Sequence, residues 1–342
     1  KRANNNQMFD LDQDLSDNHG IEVTCVNNPD MFDKHIDVHT MVTSNVSTSF
    51  AHLFYPKPIK NTVNAVARIH PRTELAFGRA IVSLSEQCGT NRGGVVFDGT
   101  SDVFIKGGGV FSNSCINASG NVHVDVNDGG IDYVSTLTTN GGPTLDPAPE
   151  QNPMIMPRQI IGVPNCGTNA PIDIHGGGDI TPGNYSSIKL TNGSLKLEPG
   201  LYCVSGNVSI QGGEIMGDGV TIYLTKDGNK DTSLIITGTT TAHLNAPTDS
   251  NLVGGAKVGI LVFMADGNEG DVNLLGNSGS SFTGAVYAPD GTIDVGGTTG
   301  VNPTYNTQLI GKYVKVHGTS QIDINYDTFP PSTVDPRLDM ME

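Results

Sequence analysis

Two textures of hydrophobic and polar positions divide the chain. Up to about His70 the pattern is that of an ordinary mixed domain. Ile21-Glu22-Val23-Thr24-Cys25 and Ile36-Asp37-Val38-His39 alternate with a period of two, which predicts half-buried strands. Ser47 to Tyr55 reads as a short helix with Phe50, Leu53 and Phe54 on one side, and Asn64 to Ile69 as a closing strand. Together they predict a small α+β domain over residues 1–72.

After Gly89 the chain becomes a succession of β-branched runs of about four to six residues, separated by Gly, Asn and Asp. Val208 and Ile210, Val220 and Ile222, Ile293 and Val295, Ile322 and Ile324 mark one apolar side; Ser209, Thr221, Asp294 and Asp323 stand between them on the wet side. Gly193, Gly206 and Gly219 each precede such a run, at an interval of 13 residues. Self-similar short strands, with corners that need positive φ and no helices between them, predict a mostly-β solenoid: a right-handed parallel β-helix. An immunoglobulin-like sandwich fits less well, because it favours longer strands, a more aromatic core and a buried Trp. The expected organisation is first β-helix coils over 73–135, a Pro-rich crossing segment over 136–165, the main β-helix over 166–327 and an extended tail over 328–342.

Composition sharpens this picture. Gly (43) and Pro (19) are enriched in the 342 residues, 36% of the chain is hydrophobic and Trp is missing, so the core is built from small and β-branched side chains. The 35 acidic against 19 basic residues, net charge -16, exclude a nucleic-acid coat, which needs a basic surplus on one face. No apolar run reaches the ~18 residues of a membrane span, and Lys1 does not open a secretory leader, which is expected to have been removed or to lie outside this sequence. Pairing Cys88 with Cys115 and Cys166 with Cys203 would close two local loops and suit an oxidising, exported location; five unbridged thiols are the alternative, and Cys25 stands apart.

The order of the pieces resembles that of the TadE/TadG-like proteins of bacterial Flp-type (tight adherence) pilus systems, in the branch that ends in a Gly/Asn-rich β-helix. The matching stretches are Asn61 to Arg68, AFGRAIVSLSEQC, GGGVFSNSC, ASGN, the proline linker, PGNY, LEPGLYCVSGNVSIQGG, GDGVTIYLT, LNAPT, GILVFMADGN, FTGAVYAPDGTIDV and QIDINYD. They span nearly the whole chain. Family members begin with a membrane helix and an Ala-rich continuation, whereas this sequence opens at KRANNNQ. The resemblance implies an extracellular protein of the bacterial cell surface: a non-enzymatic minor pilin, adhesin or self-assembling filament component. Its partners would be other copies of itself, pilus subunits or surface glycans.

The competing class is a secreted carbohydrate-active enzyme on the same solenoid, a polysaccharide lyase or glycoside hydrolase. It would need paired carboxylates such as Asp290 with Asp294 or Asp323 with Asp327. The absence of Arg between Arg158 and Arg337 counts against a lyase, so no catalytic residue and no cofactor is assigned. Asp10, Asp12, Asp14 and Asp17 copy the opening of a calcium loop, but Leu15 replaces its Gly and Ile21 its closing Glu. Asp125, Asn127, Asp128 and Asp132 gather oxygen ligands in one turn, a weak structural Ca²⁺ candidate beside the simpler reading of a solvated corner. His35 and His39, if on one strand, stand about 13 Å apart, too far for joint ligation. N-x-S sequons occur at Asn45, Asn117, Asn184, Asn192 and Asn207, and no G-x-S-x-G elbow is present.

Overall fold

A computed structural model describes residues 20–28, 32–46, 59–88, 93–226, 228–248, 255–297, 303–329 and 332–341. The protein is mostly strand; the helical pieces described in full are two short turns, Leu75–Gly78 and Tyr326–Thr328. None of its described helices is long and apolar enough to cross a membrane. The chain divides into two compact units, Lys1–Thr73 with Val334–Glu342, and Glu74–Thr333.

The first unit is an antiparallel sheet in the order Gly20–Asn28, Asp33–Val46, Ile59–His70, Arg337–Met341. Residues directly opposite in such a sheet share a face. Val23, Val38, Ala67 and Met340 therefore line up across the four strands, and Cys25, Ile36, Ile69 and Leu338 form the next row of the same face. The other face carries charged groups alongside Val26, Met41, Val66 and Met341. Arg68 donates two hydrogen bonds to Asp37 at 2.8 and 2.9 Å, His35 lies 3.6 Å from Asp37, and His70 lies 3.3 Å from Asp339. The helix expected at Ser47–Tyr55 and the Asp10–Asp17 run fall outside the described residues. The tail expected to trail from residue 328 instead contributes a strand, because Leu338 and Met340 extend the apolar rows.

The second unit carries a 25-stranded sheet in which short strands pair in parallel, mostly with the third strand along the chain. Three ladders result. In one, Ile188, Val208, Leu234, Val272, Ile293, Val314, Val95 and Ile116 are successive register partners, at the spacing of about 4.8 Å between hydrogen-bonded strands. The order along this column is not the order of the sequence. Val314 pairs with Ile293 on one side and with Val95 on the other, so a strand from the end of the second unit joins strands from its beginning. All eight side chains are at most 2% exposed and belong to the central core.

The registers correct one expectation and set the repeat. Val95, Ile116 and Leu137 are partners 21 residues apart, whereas Val208, Leu234 and Val272 are partners across longer loops; Gly193, Gly206 and Gly219, 13 apart, lie at three different turns. Stacking also continues beyond residue 136. Leu137–Gly141 pairs with Ile116–Gly120 and Thr144–Asp146 with His123–Asn127, because Leu137 and Leu145 prolong the apolar columns while Pro143 and Pro147 fall at bends. The strand-free crossing segment starts at Asn152.

One corner is lined by glycines in register: Gly297, Gly318, Gly99, Gly120 and Gly141. Gly99 and Gly120 have φ +115 and +80, and a methyl group on Gly120 would sit 2.1 Å from the Gly99 carbonyl oxygen. Backbone therefore packs on backbone there. Gly120→Ala is expected to cost about 2–3 kcal/mol in chemical denaturation. Gly238→Ala, where nothing lies within 4 Å, should stay within about 0.5 kcal/mol.

The hydrogen bonds from Arg68 hold the Asp37 carboxyl below its usual range, outweighing the opposing effect of burial. A depressed folded value contributes stability above the unfolded pKa of ~3.9, lost as pH falls through the folded value. NMR titration should place the Asp37 midpoint below that of ordinary aspartates, and Arg68→Gln should raise it.

Candidate functional site

Most strands of the second unit alternate between a buried and a wetter side, but Gly200–Val204, Val220–Leu224 and Ile260–Met264 are buried at every position. Successive side chains of a strand point to opposite faces, so this ladder is covered on both. Its inner side joins the central core through Tyr202, Ile222 and Val262. Its outer side is a single register line, Cys203, Tyr223, Phe263, Tyr287, Ile310, Val82 and Phe111. All seven are buried yet outside the central core cluster. Tyr223 and Phe263 stack at 5.2 Å between centroids, and Phe263 meets Tyr287 at 5.6 Å.

The segment from Asn152 to Pro171 covers this column as a strap. Asn152 N–H donates to the Tyr133 carbonyl at 2.8 Å, and Met156 exchanges hydrogen bonds with the Asn113 side chain at 2.8 and 2.9 Å. Gln159 Nε2 donates to the Glu74 carbonyl at 3.1 Å, while its own carbonyl accepts the Tyr287 hydroxyl at 2.6 Å. Arg158 pairs with Asp290 at 3.0 Å and with Asp266. A disulfide, Cys166–Cys203, closes the far end. From the strand of Tyr133 to that of Cys203 is seven ladder steps. That is about 34 Å at the ladder spacing, within reach of some fourteen extended residues, ~46 Å. The strap keeps water from the column, and burial pushes the Tyr287 phenol up to about 12.

On a neighbouring ladder the wet side forms a groove of about 220 Å³ lined by Asp271, Asn273, Thr292, Asp294, Tyr313 and Lys315. Hydrogen-bonding groups beside a Tyr ring suit a polyhydroxylated ligand. Asp294 is paired with His317 at 2.7 Å, and Asp290 is turned to Arg158, so these two carboxylates serve different partners. Asp323 accepts from Gln321 at 2.9 and 3.0 Å, and Asp327 lies in the Tyr326–Thr328 turn.

The calcium candidate is split. Asp125 and Asn127 share one side of His123–Asn127 and Asp128 follows in a left-handed turn (φ 65), but Asp132 lies on the next strand and binds Arg79 at 2.7 Å. Among the described residues no three His, Cys, Asp or Glu side chains are grouped to hold a metal. His35 faces His70, with ring centroids 6.1 Å apart, rather than His39. Asn192 and Asn207 are exposed and Asn117 and Asn184 half-buried; the Asn45 side chain lies outside the described residues.

Of the two expected disulfides, Cys166–Cys203 is formed. Cys88 and Cys115 are not bridged: they stand as hydrogen-bonded thiols, and burial, reinforced by Cys88, pushes the Cys115 thiol up to about 12, disfavouring the thiolate that disulfide formation needs. The strap is what the sequence reading missed. Its signal was the unbroken apolar runs LYCV, TIYL and LVFM, which need cover on both sides.

No family profile matches the chain, and neither a curated protein nor a solved structure does.

Cys166→Ser should free the end of the strap. Limited proteolysis is expected to cut between residues 160 and 171 faster than in the parent, with a stability loss of about 2–4 kcal/mol in denaturant. Equal cleavage rates would show that the non-covalent anchors suffice.

Proposed function

We propose that the second unit is wound as a right-handed parallel β-helix and that the chain is a non-enzymatic, exported surface subunit, a minor pilin, adhesin or self-assembling component of an Flp-type pilus or related filament. The observation that carries this reading is that, among the described residues, the strands at both ends of the parallel ladders pair on one side. At one end Leu137 and Leu145 close their columns only half-buried; at the other Ile174 is half-buried and Ile172 exposed. An uncapped solenoid core needs a cap or another copy, and a head-to-tail contact that does not close generates a filament. The Cys166–Cys203 bridge supports an oxidising, extracellular setting. Pairwise use of Asp290, Asp294 and Asp132 by Arg158, His317 and Arg79 supports a scaffold.

The groove around Tyr313 favours a second reading, a carbohydrate-active protein on the same frame. Electron microscopy of the purified chain separates the two. Filaments or end-to-end particles are expected, and Leu137→Lys with Leu145→Lys should reduce them to single particles of unchanged β content. Isolated particles at high concentration, or release of reducing sugar from added polysaccharide, would refute the scaffold reading.

A further inference from the structure

The groove on the wet side of the second unit is built as a grid. Asp271, Thr292 and Tyr313 are register partners on three neighbouring strands, and Asn273, Asp294 and Lys315 form a parallel column two residues further along. Neighbours within a column stand about 4.8 Å apart and the two columns about 6.7 Å apart, so the groove between them runs across the strands. The residues between the columns, Val272, Ile293 and Val314, belong to the central core and are at most 1% exposed. Packing beneath therefore fixes the floor before any ligand arrives. The Tyr313 ring is positioned as well: Lys312 holds Glu269 at 2.9 Å and lies over the ring, 5.9 Å from its centroid.

The polar groups of this grid are largely left over by the fold. Asp37, Asp132 and Asp290 are each engaged by an arginine, and Asp294 by His317 at 2.7 Å. Among the described residues, the side chains of Asp271, Asn273, Thr292 and Lys315 make no hydrogen bond or ion pair with the protein.

We propose that this groove binds a stretch of an uncharged glycan laid across the strands. Sugar hydroxyls donate to Asp271, the Asn273 amide and the Lys315 ammonium donate to sugar oxygens, and a sugar ring lies against Tyr313. The role of the bound chain rests on the adhesin form of the scaffold reading, whereas the binding itself does not. Three observations select this occupant. The lining mixes acceptors and donors with one aromatic ring, a set that fixes the orientation of a polyhydroxylated ligand. The strands beneath, Asp271–Leu274, Ser281–Gly297 and Thr304–Gly318, are each paired on both sides, so an extended peptide finds no free backbone edge to add to. Two carboxylates against one lysine in the groove, on a chain of net charge -16, repel a polyanion. The volume of about 220 Å³ lies below the ~300–1,000 Å³ of drug-sized pockets, which suits a short stretch of a longer chain passing over the surface. The site binds and does not cleave. Glycoside hydrolysis uses two carboxyl groups flanking the bond, and Asp294 is turned to His317, which leaves Asp271 alone.

The test is isothermal titration calorimetry on the end-blocked Leu137→Lys, Leu145→Lys chain, so that binding is read apart from filament formation. The probes are neutral oligosaccharides of glucose, mannose, galactose and N-acetylglucosamine, with oligogalacturonate as the anionic arm. At least one neutral probe should bind at millimolar concentration or below. Tyr313→Ala and, separately, Asp271→Asn should each weaken it about tenfold with unchanged circular dichroism. Lys106→Gln, exposed on a different ladder, should leave it unchanged. Failure of every neutral probe to bind at millimolar concentration overturns the proposal, even where the parent chain forms filaments. So does neutral binding insensitive to both Tyr313→Ala and Asp271→Asn, or tighter binding of oligogalacturonate than of any neutral probe. Release of reducing ends from a bound probe overturns the assignment of a site that binds without cleaving. Isolated particles of the parent chain that still bind a neutral probe through Tyr313 and Asp271 would leave this proposal standing while the filament reading falls.

Discussion

Val314 sits between two strands from opposite parts of the chain, hydrogen-bonded in register beside Ile293 and beside Val95. That junction pairs the last long strand of the second unit with its first strands, and a topological demand follows. Both ends of the stack are then made by the middle of the sequence, the strands before Asn152 and those after Pro171, and a single stretch must join them. The stretch has to run across the rungs. A segment crossing rungs cannot use ladder hydrogen bonds, so beyond its first residue, Asn152, it is held by side-chain hydrogen bonds and ion pairs (Asn113, Arg158, Gln159) and by one covalent bond. The surface under it has to be apolar, because a buried polar column would have no partners for its groups. The outward line of Tyr223, Phe263 and Tyr287 is the local price of joining first coil to last.

The same logic distributes the charged groups. Where the strap passes, carboxylates are consumed in neutralising it: Asp290 and Asp266 face its Arg158. Where no strap passes, the wet side keeps short polar residues at ladder spacing, with Tyr313 the large ring among the groove's side chains. The glycine corner complements this by letting successive backbones approach to contact, which keeps that edge of the stack thin and free of side chains. A frame of this kind offers extended, regular surfaces more readily than a converging cluster of reactive groups.

Much of this was legible in the residues. Alternation at Val208–Ile210 and Ile293–Val295 correctly gave strands with one apolar side, and the loop between Cys166 and Cys203 was correctly read as short enough to bridge. The repeat length was not legible from Gly193, Gly206 and Gly219, because similar glycines stand at the turns between all three ladders and each interval of 13 spans two strands, not the three that bring the chain back to the same ladder. Leu137 and Leu145 were hidden among Pro, Thr and Asn, whose local signals are those of a linker; only register with Ile116 and Val124 reveals them as core. The stacking of last on first is a long-range pairing, which local periodicity does not encode. Apolar residues on both sides of LYCV and LVFM were the trace it left.

The sheet of the first unit is assembled from both flanks of the second, since Arg337–Met341 pairs with Ile59–His70. The second unit is thus an insertion in the sequence of the first. During synthesis the strands before His70 emerge early and wait without their edge partner until some 260 intervening residues have followed. Completion of that sheet therefore reports that the whole of the second unit has already been made.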